Sequence, residues 1–151
     1  MVEFKISDSS DMDTLIGIRL EMLRIVNDLS DDYQYPSSFV EQTRKYFEEG
    51  NQTTVLAFDG NKAVGCATLS YINIMPTFDH PTGNRAHLMN VYTNRDHRRQ
   101  GIAAKMVSIL IDEAKEKGVT EISLDATQMG KPLYESLGFS LNDAGMVLEL
   151  R

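Results

Sequence analysis

Arg98-Arg99-Gln100-Gly101-Ile102-Ala103 is the segment whose residue types and spacing best suit chemistry. It falls where an alternating apolar run gives way to a helical one. A helix N-terminus presents unpaired N–H groups and a partial positive charge, and together these bind phosphate. Gly101 has no side chain, so a pyrophosphate can approach the backbone there, and Ala103 is small. Arg95, His97, Arg98 and Arg99 gather positive charge in a chain whose formal net charge is -7. That local reversal suits a polyanionic ligand. On charge and spacing alone a second reading stands beside it, in which Gly101 permits a tight turn and the arginines are solvated. The segment is neither a P-loop, since GxxxxGK(S/T) is absent, nor a dinucleotide fingerprint, since GxGxxG is absent.

A second set of residues could move protons. Glu21, Asp79, His80, His87 and Asp125 each suit a general base, and no motif singles one out. His87 also reads as a satisfied strand histidine, and Asp125 as the cap of a turn. Tyr134, taken by itself, is a packing tyrosine on a short helix. The acidic positions Asp28, Asp31, Asp32, Glu48 and Glu49 would attract a cation or serve as solvated surface. Cys66 is the one cysteine; it sits in the apolar run Ala63–Ala67 and reads as a small core residue. It excludes an internal disulfide, and no Cys/His spacing suits a metal.

The elements that must position these residues follow from periodicity. Val2–Ile6 alternates as a strand. A helix is expected from about Asp11 to Leu29, with Leu15, Ile18, Met22, Val26 and Leu29 as its apolar stripe, and a second from Pro36 to Gly50. Thr53–Phe58 and Lys62–Ile74 read as strands joined at Asp59-Gly60-Asn61, a hairpin signal. Met75–Asn84 reads as a loop, Arg85–Thr93 as a strand, and Gln100–Lys117 as a long helix ended by Gly118. Glu121–Asp125 reads as a strand, Gly130–Leu137 as a short helix, and Phe139–Leu141 and Met146–Leu150 as closing strands. The strand–helix–strand unit over 85–125 predicts one parallel pair, with a ligand crevice at its carboxyl ends.

The 151 residues suit one domain, 1–151, able to bury a real core. An acidic chain is a poor partner for nucleic acid or anionic lipid and a better one for an amine. Met1-Val2-Glu3-Phe4-Lys5 has no basic segment followed by an apolar one, and no apolar run nears the roughly 18 residues of a membrane span. The expected location is the cytoplasm.

The strand ending Asn90-Val91-Tyr92-Thr93, the pattern Arg-x-x-Gly-x-Ala and the long amphipathic helix after it resemble the acetyl-CoA signature of the GNAT superfamily of N-acetyltransferases. Pro132-Leu133-Tyr134-Glu135-Ser136-Leu137-Gly138-Phe139 resembles a second segment of that superfamily, at the expected place. The resemblance implies an α/β (α+β) fold: a mixed, mostly antiparallel sheet of about seven strands with a splayed parallel pair, flanked by about four helices. It implies acetyl-CoA as cosubstrate, an amine acceptor and no metal, with a homodimer common in the family. It places the backbone of Val91 and Thr93 along the pantetheine arm, and the N–H groups of Arg99, Gln100, Gly101, Ile102 and Ala103, beside Arg98, at the pyrophosphate. Tyr134 corresponds to the tyrosine facing the cosubstrate sulfur, and the N–H of Tyr92 to a donor for the oxyanion. Thr127 and Gly130 stand where Asn and Ala are frequent; Thr127 remains a hydrogen-bond donor. An acyl-CoA-binding module without catalysis is the alternative on the same fold.

Overall fold

The computed structural model of the chain describes residues 1–142 and 144–151. Five strands form one sheet in the order β1-β2-β3-β4-β5, namely Val2–Ile6, Gln52–Asp59, Lys62–Asn73, Asn84–Thr93 and Glu121–Ser123. The first four pair antiparallel, and β4 and β5 pair parallel over Arg85↔Glu121 to His87↔Ser123. Two helices, α1 (Met12–Val26) and α2 (Ser37–Glu49), lie on one face of the sheet, and α3 (Ile102–Glu116) lies on the other. A short helix, α4 (Lys131–Ser136), follows β5. No described helix is long and apolar enough to cross a membrane.

Sequence periodicity and burial agree for most of the core; Val26, expected on the α1 stripe, is instead 68% exposed at the end of that helix. Leu15, Ile18 and Met22 of α1 pack with Phe47, Leu56, Cys66 and Tyr92 on one face. Ile102, Met106, Leu110 and Ala114 of α3 meet Val55, Val64 and Leu69 on the other. β2 and β3 are buried on both faces by these helices, hence their nearly continuous apolar runs. Burial pushes the Cys66 thiol up to about 12, so it packs as an inert group.

Three expectations are corrected. The sheet has five strands among the described residues, where about seven were expected. Leu141, Met146, Val147, Leu148 and Leu150 are 80–97% exposed and lie in no strand. An apolar run becomes a strand only when an edge accepts its ladder, and Met146–Leu150, with Glu149 its only polar residue, lacks the alternation that would give it one buried face. Phe139 instead packs edge-on against Tyr134, with ring centroids 5.9 Å apart. Second, α1 ends at Val26, short of Leu29. The Asn27 amide donates to the Leu23 carbonyl, and Asp28 turns left-handed at φ 51°. Third, β5 stops at Ser123, two residues before Asp125, because it parts from β4 there.

Candidate active site

β4 changes character halfway along. Cys66 faces Tyr92 and Thr68 faces Met89, so Asn90 and Val91 stand opposite Ala67 alone. This is a β-bulge. Asn90 takes the strain at φ 60°, a region that Asn tolerates better than most residues. Beyond His87 no described strand pairs with the β5-facing edge of β4. The two parallel strands therefore open into a gap toward the N-terminus of α3. Thr93, at the end of β4, has a buried hydroxyl with no hydrogen-bond partner among the described residues.

The turn after β4 is held from several sides. The His97 ring bonds Asn94 Oδ1 at 2.7 Å through Nδ1 and Asp59 Oδ2 at 2.8 Å through Nε2. That hydrogen bond holds the Asp59 carboxyl below its usual value. Arg98 Nε donates to the Thr93 carbonyl at 3.1 Å. Arg99 (φ 65°) and Gly101 (φ 75°) are both left-handed, and a Cβ on Gly101 would meet nothing within 4 Å. Arg98, Arg99, Gln100 and Gly101 are exposed, Ala103 is half-buried, and Ile102 anchors the first turn of α3 in the core. Successive N–H groups at such a turn form a concave anion seat, strengthened by roughly half a charge from the helix. These residues fit a pyrophosphate, and the unpartnered Thr93 hydroxyl and open β4 edge fit the arm attached to it.

The proton-moving candidates separate into those the fold brings to the bulge and those it does not. Glu21 on α1 accepts a hydrogen bond from the Tyr92 hydroxyl at 2.7 Å, across 71 positions of sequence. Burial first, and then Glu21, raises the Tyr92 phenol well above its ordinary value. His87 lies on the same face, its Nδ1 2.8 Å from Ser123 Oγ and its Nε2 3.9 Å from the exposed Asp125. His80 bonds Thr120 at 2.8 Å and approaches Glu121 at 3.3 Å, where β5 begins. It and the exposed Asp79 thus sit at the end of β4 away from the α3 turn. Tyr134 on α4 is half-buried; burial raises its phenol above the usual value. Its ring edge lies close to Gly130, where a Cβ would approach Cε2 to 3.2 Å. Thr127 Oγ1 accepts from the Gly130 N–H at 3.1 Å and keeps its own proton to donate.

A cleft of about 780 Å3 runs along the outer edge of β5, between Ile111 and Ala114 of α3 and Tyr134 and Phe139. It does not reach Val91 or Gly101, and it lies where further strands would extend the sheet. The gap between β4 and β5 is therefore the better candidate site, because it joins the anion seat to the bulge.

Sequence reasoning missed Arg19 and the role of Asn90. Arg19 donates to Asn90 Oδ1 at 3.2 Å, Asn90 Nδ2 donates to Thr68 Oγ1 at 3.1 Å, and the Cys66 thiol donates to the Asn90 carbonyl at 3.2 Å. The one available signal was an Asn between apolar residues inside a strand, a position that strands disfavour.

A strand parts from its parallel neighbour beside a left-handed turn and a helix start, and comparison with known proteins gives the class of protein that carries this arrangement. Residues 22–139 match the model of the Acetyltransferase (GNAT) family, and the chain belongs to that family. It is 30% identical over 102 residues to human N-acetyltransferase 8, covering 64% of this chain and 42% of that protein. It is 31% identical over 91 residues to glucosamine 6-phosphate N-acetyltransferase of Trypanosoma brucei brucei, covering 59% of this chain and 58% of that one. The chain thus spans about half the length of the curated relatives it matches. A predicted acetyltransferase from Clostridium acetobutylicum, solved with acetyl-CoA, superposes with a TM-score of 0.87 at 27% identity, covering 99% of this chain and 96% of that one.

Proposed function

We propose that the protein transfers an acetyl group from acetyl-CoA to a primary amine by direct attack on the thioester. The observation that carries this reading is the open edge of β4 running into the left-handed Arg99–Gly101 turn. Bound acetyl-CoA supplies an activated acyl carbon and a thiolate leaving group. The backbone of Val91 and Thr93 binds the pantetheine arm as an added strand, and the N–H groups from Arg99 to Ala103 hold the pyrophosphate. The Asn94 N–H bonds the Val64 carbonyl, so by alternation the N–H of Tyr92 turns toward its β3 partner Cys66. That of Val91, at the bulge, is the one that faces the carbonyl oxygen as it gains charge. Tyr134 keeps its proton at neutral pH, because burial raises its phenol, and donates it to the departing sulfur. A forming ammonium must lose a proton; Glu21 and His87 are the acceptors on the bulge face, and Asp125 stands beside His87. The acetyl-CoA in the Clostridium structure and the amino sugar named for the trypanosomal relative support both halves of the reading.

The test is a thermal shift with acetyl-CoA, free CoA and ATP, followed by thiol release with a panel of amines. A ligand at about 100 times its Kd adds about 2.7 kcal/mol when it binds only the native state. A rise with acetyl-CoA and none with ATP supports the reading. No rise at millimolar acetyl-CoA overturns it. A rise without turnover on any amine favours the non-catalytic acyl-CoA-binding module.

A further inference from the structure

Among the described residues, Arg19 is a cation held in a prepared position without a counter-ion. It is half-buried on α1 against the sheet, and none of the ion pairs among the described residues includes it. Its one side-chain hydrogen bond among the described residues goes to the neutral amide oxygen of Asn90. A guanidinium carries five N–H donors and stays charged, so most of its capacity is unused. Taking such a charge partly out of water is unfavourable unless an anion offsets it.

The network behind Arg19 aims it. Asn90 and Thr68 are 9% and 2% exposed. Thr68 Oγ1 in turn lies 2.7 Å from Thr54 Oγ1, which donates to Gln52 Oε1 at 2.7 Å. This chain of buried polar groups fixes the Asn90 amide and so fixes where Arg19 points. Arg19 thus meets the sheet at the bulge, one residue before Val91. On the same face His87, Ser70, Tyr46 and Met89 form an open surface, with Tyr46 bonded to Ser70 and Ser70 close to Met89. An ordered guanidinium with free, planar donors is suited to a carboxylate or phosphate.

We propose that Arg19 anchors an anionic group of the acceptor, so that the substrates are amines which also carry a carboxylate or a phosphate. The anion meets Arg19 at the bulge while the amine lies toward the carboxylate and histidine candidates, and the substrate is oriented by opposite charges at its two ends. This rests on the acetyl-transfer reading and adds the acceptor class to it. A purely structural Arg19, tying α1 to β4, is the competing role.

The experiment compares matched acceptors: an amino acid against its amide, and phosphoethanolamine against ethanolamine, with wild type, Arg19→Gln and Arg19→Lys. Each variant is first checked for its thermal midpoint and its shift with acetyl-CoA, which test folding and the cosubstrate site separately. The expected result is a kcat/KM roughly 10- to 100-fold higher for the acidic member of a pair. Arg19→Gln erases that preference by raising the acceptor KM, Arg19→Lys restores part of it, and both keep the acetyl-CoA shift. The carboxylate and phosphate pairs show which anion is used. A preference for the neutral member, a preference that survives Arg19→Gln, or no turnover of either class by a wild type that binds acetyl-CoA overturns the proposal. Absence of the acetyl-CoA shift in wild type marks failure of the transfer reading itself.

Discussion

At the scale of single residues, Tyr134 and Tyr92 make opposite demands on their protons. Tyr134 has no hydrogen-bond partner for its hydroxyl among the described contacts, and burial keeps it neutral. Tyr134→Phe is expected to lower kcat about 100-fold with little change in acetyl-CoA affinity, read by steady-state kinetics beside a binding titration. Tyr92 is instead committed to Glu21. Its folded phenol is raised above the ordinary 10.0, so its stabilising contribution is complete below that pH and is lost as pH rises through the folded value. Tyr92→Phe should therefore flatten the loss of stability above pH 10, measured as urea midpoints on either side of that value. The place of Tyr134 on a short helix was legible because it sits in a run of sequence that resembles a known segment, and its role is the one proposed above. Arg19 and the Glu21–Tyr92 contact were not, since each joins α1 to β4 across 71 positions and neither residue is unusual where it stands.

At the scale of elements, the proposed seat for the anion depends on how β3, β4 and the start of α3 pack together. A Cβ on Gly65 would lie 3.0 Å from the Tyr92 carbonyl oxygen and 3.1 Å from Met106 Cε. The carbonyl belongs to the β4 backbone and cannot yield, whereas Met106 Cε ends a flexible side chain and can, so Gly65→Val strains the β3–β4 pairing and crowds the first turns of α3. We expect a loss of about 1–3 kcal/mol from overpacking and a larger proportional loss of acetyl-CoA binding, compared by denaturant midpoint and calorimetric titration. The same turn is tied to β2 by Asp59 and His97. Asp59→Asn should weaken acetyl-CoA binding severalfold. Because the Asp59 carboxyl is depressed in the folded chain, its contribution is present above the ordinary value of 3.8 and fades as pH falls through the folded one. The central elements were legible because helix and strand periods differ and burial follows them. The ends were not: the α1 terminus is set by Asn27 and Asp28 side-chain and backbone geometry, and Met146–Leu150 has the composition of a strand without a ladder partner.

At the scale of the whole molecule, stability is unevenly spread. β2, β3 and β4 are clasped between two helical layers, while β5 is held by three registered pairs at the edge of the sheet. Hydrogen exchange should be slow in β2 and β3 and fast in β5 and α4. Added acetyl-CoA should protect β5 and α4 most, because on the proposed reading it fills the gap that they border; uniform protection would contradict that placement. The parallel pair was legible at this scale from the strand–helix–strand order, and the width of the gap was not, since it depends on where pairing stops. The alternation of β4 has one more implication. Asn90 and Tyr92 face α1, whereas Leu88 and Val91 pack with the α3 layer, the bulge shifting the alternation between them. On the proposed reading the donor lies along the open edge of that peptide ribbon and the acceptor comes to it from the α1 side. Both are then positioned by the backbone of one strand. Straightening the bulge would disturb both seats at once.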